Sequence, residues 1–248
     1  MRSHWISVAS LLLGALPLAA QQPAPNRLDT LLQRWEQEMK SVQTLVLQCS
    51  RTETDKVNMT TTTFVGSAKY MRPNLAVLDM VKQSNPQVYE KYVLTGTFLY
   101  EYRPKEKKIR VHELPPARQG NVADDGPLSL LLGMKAEEAK KRFDLRLVKE
   151  DQWYIYLEIL PRLPADKADF QRARLVLNNK TFLPRELWFE QPNGNEIKWD
   201  IPKIDSNVAV NRHEFAPPGL PTGWTVERIP LADTPKTEPP PRIVRPNN

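Results

Sequence analysis

The sequence predicts a mainly β, α+β protein: an antiparallel sheet preceded by one helix and interrupted once by short helices. Three observations carry this. From about Thr44 onward the chain alternates apolar and polar residues with period two. Turn signals, Arg72-Pro73-Asn74, Ser84-Asn85-Pro86, Thr95-Gly96 and Asn193-Gly194, divide that pattern into short runs. A single Leu-rich stretch, Leu128–Met134, breaks it in the middle.

The elements follow in order. Residues 1–20 read as a signal peptide: Arg2 and His4, an apolar run from Ile6 to Leu18, then small residues before Gln21. The run is short for a membrane span, so the protein is expected to be secreted and periplasmic. Residues 21–26 form a linker. Asn26 is a candidate helix cap, and Leu28, Leu31, Leu32, Trp35 and Met39 make one apolar stripe at helical spacing. Strands are expected around 44–50, 60–71, 75–82, 88–94, 98–103 and 108–114. After a polar loop at 115–125, Asp125-Gly126-Pro127 is set to start a helix that is apolar nearly all round. A charged helix at 135–143 carries the i,i+4 pairs Glu137/Lys141 and Glu138/Arg142. Strands resume at 144–149, 152–160, 170–178, 183–190 and 196–201, with a further strand expected at 208–215. The domain is expected to span 27–229. Residues 230–248 hold six prolines and few apolar residues, the composition of a Pro-rich disordered tail.

Composition narrows the chemistry. A single cysteine among 248 residues excludes a disulfide scaffold and a Cys-based zinc site. Cys49 alternates with Leu45 and Leu47, the place of a small buried apolar residue. The formal charge of +6 is an ordinary value for solubility and, in an exported protein, does not point to nucleic acid. No nucleophile elbow, HExxH, Walker loop or GxGxxG is present. The three histidines, His4, His112 and His213, lack metal-ligand spacing. No catalytic residue, metal or cofactor is therefore expected.

One constellation points further. Phe64, Gly66, Ala68, Tyr70 and Arg72 share one face of a strand by period two. That face is apolar until the arginine at its end. A guanidinium beside apolar surface needs acceptors, and exposed carbonyls at the ends of short helices supply them, the Leu-rich helix at 127–134 being the candidate; the alternative is that Arg72 reaches past the strand end into water. Gly66-Ser67-Ala68-Lys69-Tyr70-Met71-Arg72-Pro73 resembles the Gly…Arg-Pro strand of periplasmic lipoprotein carriers of the LolA type. Thr95-Gly96-Thr97-Phe98-Leu99-Tyr100 is similar to that family's turn glycine and aromatic strand, Leu128–Gly133 falls where it has a lid helix, and Glu214-Phe215-Ala216-Pro217-Pro218-Gly219 resembles its closing signature. Thr95 departs from the acidic residue common at that place.

The resemblance implies a curved antiparallel incomplete β-barrel with an N-terminal helix and short lid helices. It implies a hydrophobic cavity for acyl chains of lipid or lipoprotein. Arg72 would latch the lid, Leu128, Leu130, Leu131 and Leu132 would form it, and Phe64, Tyr70, Phe98 and Tyr100 would line the cavity; the alternative for these aromatics is ordinary core. The expected molecule is a monomeric carrier with an envelope membrane protein as a further partner. The alternative is a non-catalytic envelope sensor or protein-interaction module on the same fold.

Overall fold

The computed structural model describes residues 26–114, 135–217 and 219–230. Helix α1 (Arg27–Ser41) opens the chain. The Asn26 side chain accepts the Leu28 amide at 3.3 Å, as the sequence leads one to expect of a cap. Six strands follow: β1 (Thr44–Asp55), β2 (Thr60–Met71), β3 (Leu75–Lys82), β4 (Asn85–Thr95), β5 (Phe98–Arg103) and β6 (Lys108–Glu113). Then come α2 (Ala136–Arg142), β7 (Phe143–Glu150), β8 (Tyr154–Pro161), α3 (Pro164–Asp169), β9 (Arg172–Asn178), β10 (Pro184–Glu190), β11 (Glu196–Ser206) and β12 (Thr225–Ile229).

All twelve strands join one sheet in the order β12-β6-β5-β4-β3-β2-β1-β11-β10-β9-β8-β7. Two meanders, β1–β6 and β7–β11, meet where β1 pairs with β11. The sheet does not close into a barrel. Register along β1–β11 shifts between Gln48 and Ser50. Pro202 lies opposite that shift, where its missing N–H costs no ladder bond.

Two expectations need correction. The sheet is mixed, because β12 runs parallel to β6: the chain leaves β11, crosses the sheet, and adds β12 to the far edge in the direction of β6. The strand expected at 208–215 is absent, and a 3-10 turn occupies Arg212–Phe215. The Asn211 side chain accepts the His213 amide at 3.0 Å while Glu214 accepts the Asn211 amide at 3.3 Å. This reciprocal cap satisfies the backbone locally and outcompetes the ladder. Helix α3 and strand β12 have no counterpart among the expected elements. The signal peptide, the 115–125 loop, the lid helix and the Pro-rich tail lie outside the described residues.

The larger core lies between helices and sheet. Leu31, Leu32, Trp35 and Met39 of α1 pack with Leu45, with Ile155, Leu157 and Ile159 of β8, and with Leu175, Leu177, Leu187 and Phe189. Each such side chain contributes about 1.5–3 kcal/mol on burial. Ala136 and Ala139 of α2 join them. Polar ties fix the two helices together: Glu36 accepts the Ala136 amide at 2.9 Å, and Lys140 reaches Asp29 at 3.2 Å.

Candidate functional site

Ladder partners project to the same side of a sheet, so register assigns every side chain to a face. Tyr70 pairs with Leu45 and Ala76, Ala76 with Leu94, and Leu94 with Leu99. Leu45 and Tyr70 pack with α1, so this is the helix face, and Phe64, six residues from Tyr70, shares it. Lys69 pairs with Val77, Val77 with Val93, and Val93 with Tyr100. Tyr100 and Phe98 therefore point to the opposite face, where their rings meet edge-on at 6.4 Å.

The four aromatics expected to form one cavity wall are thus divided two and two by the sheet. The pattern Phe98-Leu99-Tyr100 shows alternation but not its phase. The phase is set by the Thr95-Gly96-Thr97 turn, with Gly96 at φ +97°, and it sends Leu99 to the helix face.

A second apolar cluster occupies the helix face beside the main core, the two sharing Trp199 and Ile204 at their border. Cys49, Phe64, Met80 and Ile201 are its buried members, and Leu47, Leu78, Val88, Trp199 and Ile204 pack on it. Every one of these residues lies on a strand, whereas α1 and α2 contribute directly to the main core. Gly66 stands inside the cluster, paired with Cys49 and Met80. A Cβ at this position would sit 1.9 Å from the Asp79 carbonyl oxygen and 2.8 Å from the Met80 sulfur, so only glycine fits. Cys49 is buried with its Sγ 3.6 Å from Met80 Sδ. Burial pushes its thiol up to about 11, which removes it as a nucleophile at neutral pH.

Charge borders this cluster. The Arg51 guanidinium lies over the Phe64 ring at 4.7 Å and the Trp199 ring at 5.4 Å. It donates two hydrogen bonds to Glu90, at 2.8 and 2.7 Å, and stands 2.8 Å from Glu53. Burial opposes its charge, but the hydrogen bonds and charge of Glu90 outweigh that and hold its pKa above the ordinary value. Across β5 and β6, Glu101 lies 3.2 Å from His112 and 2.8 Å from Arg103. The helix face therefore passes from the apolar cluster on β1–β3 to the ion pairs that Arg51 of β1 makes with Glu90 of β4 and that Glu101 makes with Arg103 and His112. Arg51 and Glu90 escape a reading of the sequence because single charges within a strand look like solvent-facing positions; only the register shows them facing inward.

Arg72 lies at the edge of the same face. Its Nη2 donates to the Met39 carbonyl at 2.9 Å, and Met39 belongs to the last turn of α1. This acceptor belongs to α1, whereas the supplier expected from the sequence is the Leu-rich stretch at 127–134, which lies outside the described residues. Leu128, Leu130, Leu131 and Leu132 lie outside the described residues. The Tyr70 hydroxyl donates to the Pro73 carbonyl at 3.3 Å.

The opposite face is crossed by the chain after β11. Phe215 is buried there, Trp224 meets Tyr102 at 5.9 Å, and Glu214 pairs with Lys69. Two clefts flank this strap. One of about 340 Å³ is lined by Ser67, Lys69, Val77, Asp79, Lys91 and Glu214. The other, about 330 Å³, lies between Leu75, Thr95 and the turn residues around Phe215. Neither touches the four expected cavity residues. Among the described residues, no group of three His, Cys, Asp or Glu side chains is placed to hold a metal.

No family model matches the chain, and no curated protein matches it. Solved structures do. An uncharacterized conserved protein from Thermus thermophilus aligns at 11% identity over 81% of this chain and 98% of its own, with a TM-score of 0.51. A LolA superfamily protein from Nitrosomonas europaea aligns at 10% identity over 76% and 97%, with a TM-score of 0.36. The Pseudomonas aeruginosa MucA/MucB complex contains a chain aligned at 12% identity over 78% and 62%, with a TM-score of 0.45. Likeness at such identities is one of fold alone, and the Thermus thermophilus structure, which this chain matches over 98% of its length, carries it.

Proposed function

We propose that the chain is a non-catalytic carrier or binding protein of the periplasm that holds an acyl chain of a lipid or lipoprotein against the helix face of β1–β3. One observation carries this reading: the apolar cluster around Cys49, Phe64, Met80 and Ile201 is built from strands alone among the described residues. The half-buried residues around it, Leu47, Leu78 and Val88 among them, gain about 0.8 kcal/mol for each methylene that covers them. Two covers fit that chemistry, an acyl chain and the leucines at 128 and 130–132, and a carrier exchanges one for the other. In this reading Arg72, anchored on α1, latches the lid at the border of the patch. Phe64 and Tyr70 belong to the ligand side. Phe98 and Tyr100 support the sheet from behind.

The test is native mass spectrometry and organic extraction of the protein purified from its own host. The expected result is a stoichiometric acyl-bearing molecule that disappears in Met80→Asp. A stoichiometric protein partner without lipid would replace the carrier reading by the interaction-module one.

A further inference from the structure

The β1–β2 hairpin reaches past its neighbour. Its ladder runs out to Asp55–Thr60, whereas β3 and its turn accompany β2 only as far as Thr63. At ~3.3 Å per residue the tip stands roughly 10 Å beyond that turn. It carries the two most exposed large apolar side chains among the described residues, Val57 at 79% and Met59 at 84%. The tip is also built. The Asp55 carboxylate accepts the amides of Val57 and Asn58, at 2.9 and 3.0 Å, and the Asn58 side chain at 2.7 Å. The Lys56 amide is held by Asn195 at 3.0 Å, and its ammonium by Glu196 at 3.0 Å. Met59 sits at φ +52°, a left-handed conformation that costs a bulky residue and suits the adjacent Asn58 better. A hydrogen-bonded turn thus accepts strain and presents two apolar side chains to solvent, which nothing inside the described fold requires.

Charge says what they meet. Alternating strand direction places the β1–β2, β3–β4 and β5–β6 turns at one end of the sheet. Lys82, Lys105 and Lys107 lie on or beside the latter two and pair with no carboxylate among the described residues, whereas Glu106 pairs with Arg110 and Asp55 is engaged by its own turn. Over these three turns Lys82, Lys105 and Lys107 outnumber Asp55, whose hydrogen bonds leave its charge in place, so the balance there is positive.

We propose that the hairpin tip docks on an anionic phospholipid surface. Val57 and Met59 enter the interface, and Lys82, Lys105 and Lys107 face phosphate headgroups. These residues are separate from the helix-face patch, so the docking stands or falls independently of acyl-chain binding.

The test is flotation of the full chain with vesicles of phosphatidylglycerol and phosphatidylethanolamine, against neutral phosphatidylcholine, at low and physiological salt. Wild type should float with the anionic vesicles, more weakly as salt rises. The double variant Val57→Ser/Met59→Ser should bind about tenfold more weakly with unchanged thermal unfolding. Trp153→Ser, an exposed aromatic at the opposite end of the sheet, should bind as wild type does. Absence of flotation, equal binding to neutral vesicles, or an undiminished double variant would overturn the proposal.

Discussion

Gly66 and Cys49 face each other across β1 and β2, and each makes a separate claim on the patch. At Gly66 the constraint is space. An alanine Cβ meets backbone, the Asp79 carbonyl oxygen at 1.9 Å, and backbone in a central ladder cannot swing aside. Gly66→Ala should cost about 1–3 kcal/mol, the range for overpacking, read as a lower urea midpoint at unchanged slope. At Cys49 the constraint is charge. The folded chain keeps the thiol protonated to about 11 against an ordinary 9.0. Between those values the unfolded chain binds fewer protons than the folded one, so stability falls as pH rises. Two pH units correspond to about 2–3 kcal/mol. Cys49→Ala removes this contribution while leaving the tyrosines and lysines that titrate nearby. Its stability relative to wild type should therefore improve by that amount between pH 8 and 11, as measured by urea unfolding. A constant difference across that range would show that the thiol ionises freely.

Among the elements, the strap after β11 shows how energetics separate neighbouring contacts. Its exposed pair, Lys69 with Glu214, is screened by solvent and contributes little, as surface ion pairs do. Phe215, two percent exposed beside Leu75 and Thr95, carries far more. Phe215→Ala should cost about 3 kcal/mol and open 207–224 to limited proteolysis, while Lys69→Ala should leave both nearly unchanged. The strap is also where the sequence is hardest to read. Strands β1–β6 are legible because turn residues and period two agree; α1 is legible because cap and stripe agree. In the strap they disagree: Val208 and Val210 hint at alternation, but Asn211 and Glu214 stand at capping-box spacing, and the local hydrogen bonds win. For the candidate site, the sequence singles out the strand Phe64–Arg72, while the α1 carbonyl that Arg72 reaches is visible only in the structure. Facing is a property of register between strands, and so the opposed placement of Phe98 and Tyr100 and the inward charge of Arg51 and Glu90 lie beyond a reading of single runs.

The whole molecule sets its apolar surfaces unequally. On β7–β10 the helix face is roofed by α1 and α2, toward β4–β6 it is bordered by ion pairs, and between them lies the strand-built cluster. A ligand bound to the folded state alone stabilises by mass action, about 2.7 kcal/mol at a hundredfold excess over its Kd. For a domain of this size that is a rise of about 5–10 °C in Tm. Laurate, held below its micellar concentration, is a suitable probe. Wild type should show a saturable rise, and Leu78→Glu, which sets a carboxylate in the patch, should abolish it. Tyr100→Ala distinguishes the two faces. It should lower the starting Tm yet keep the same increment, because its ring lies behind the sheet. Loss of the increment in Tyr100→Ala, with Leu78→Glu unaffected, would move the binding surface to the strap face and its clefts.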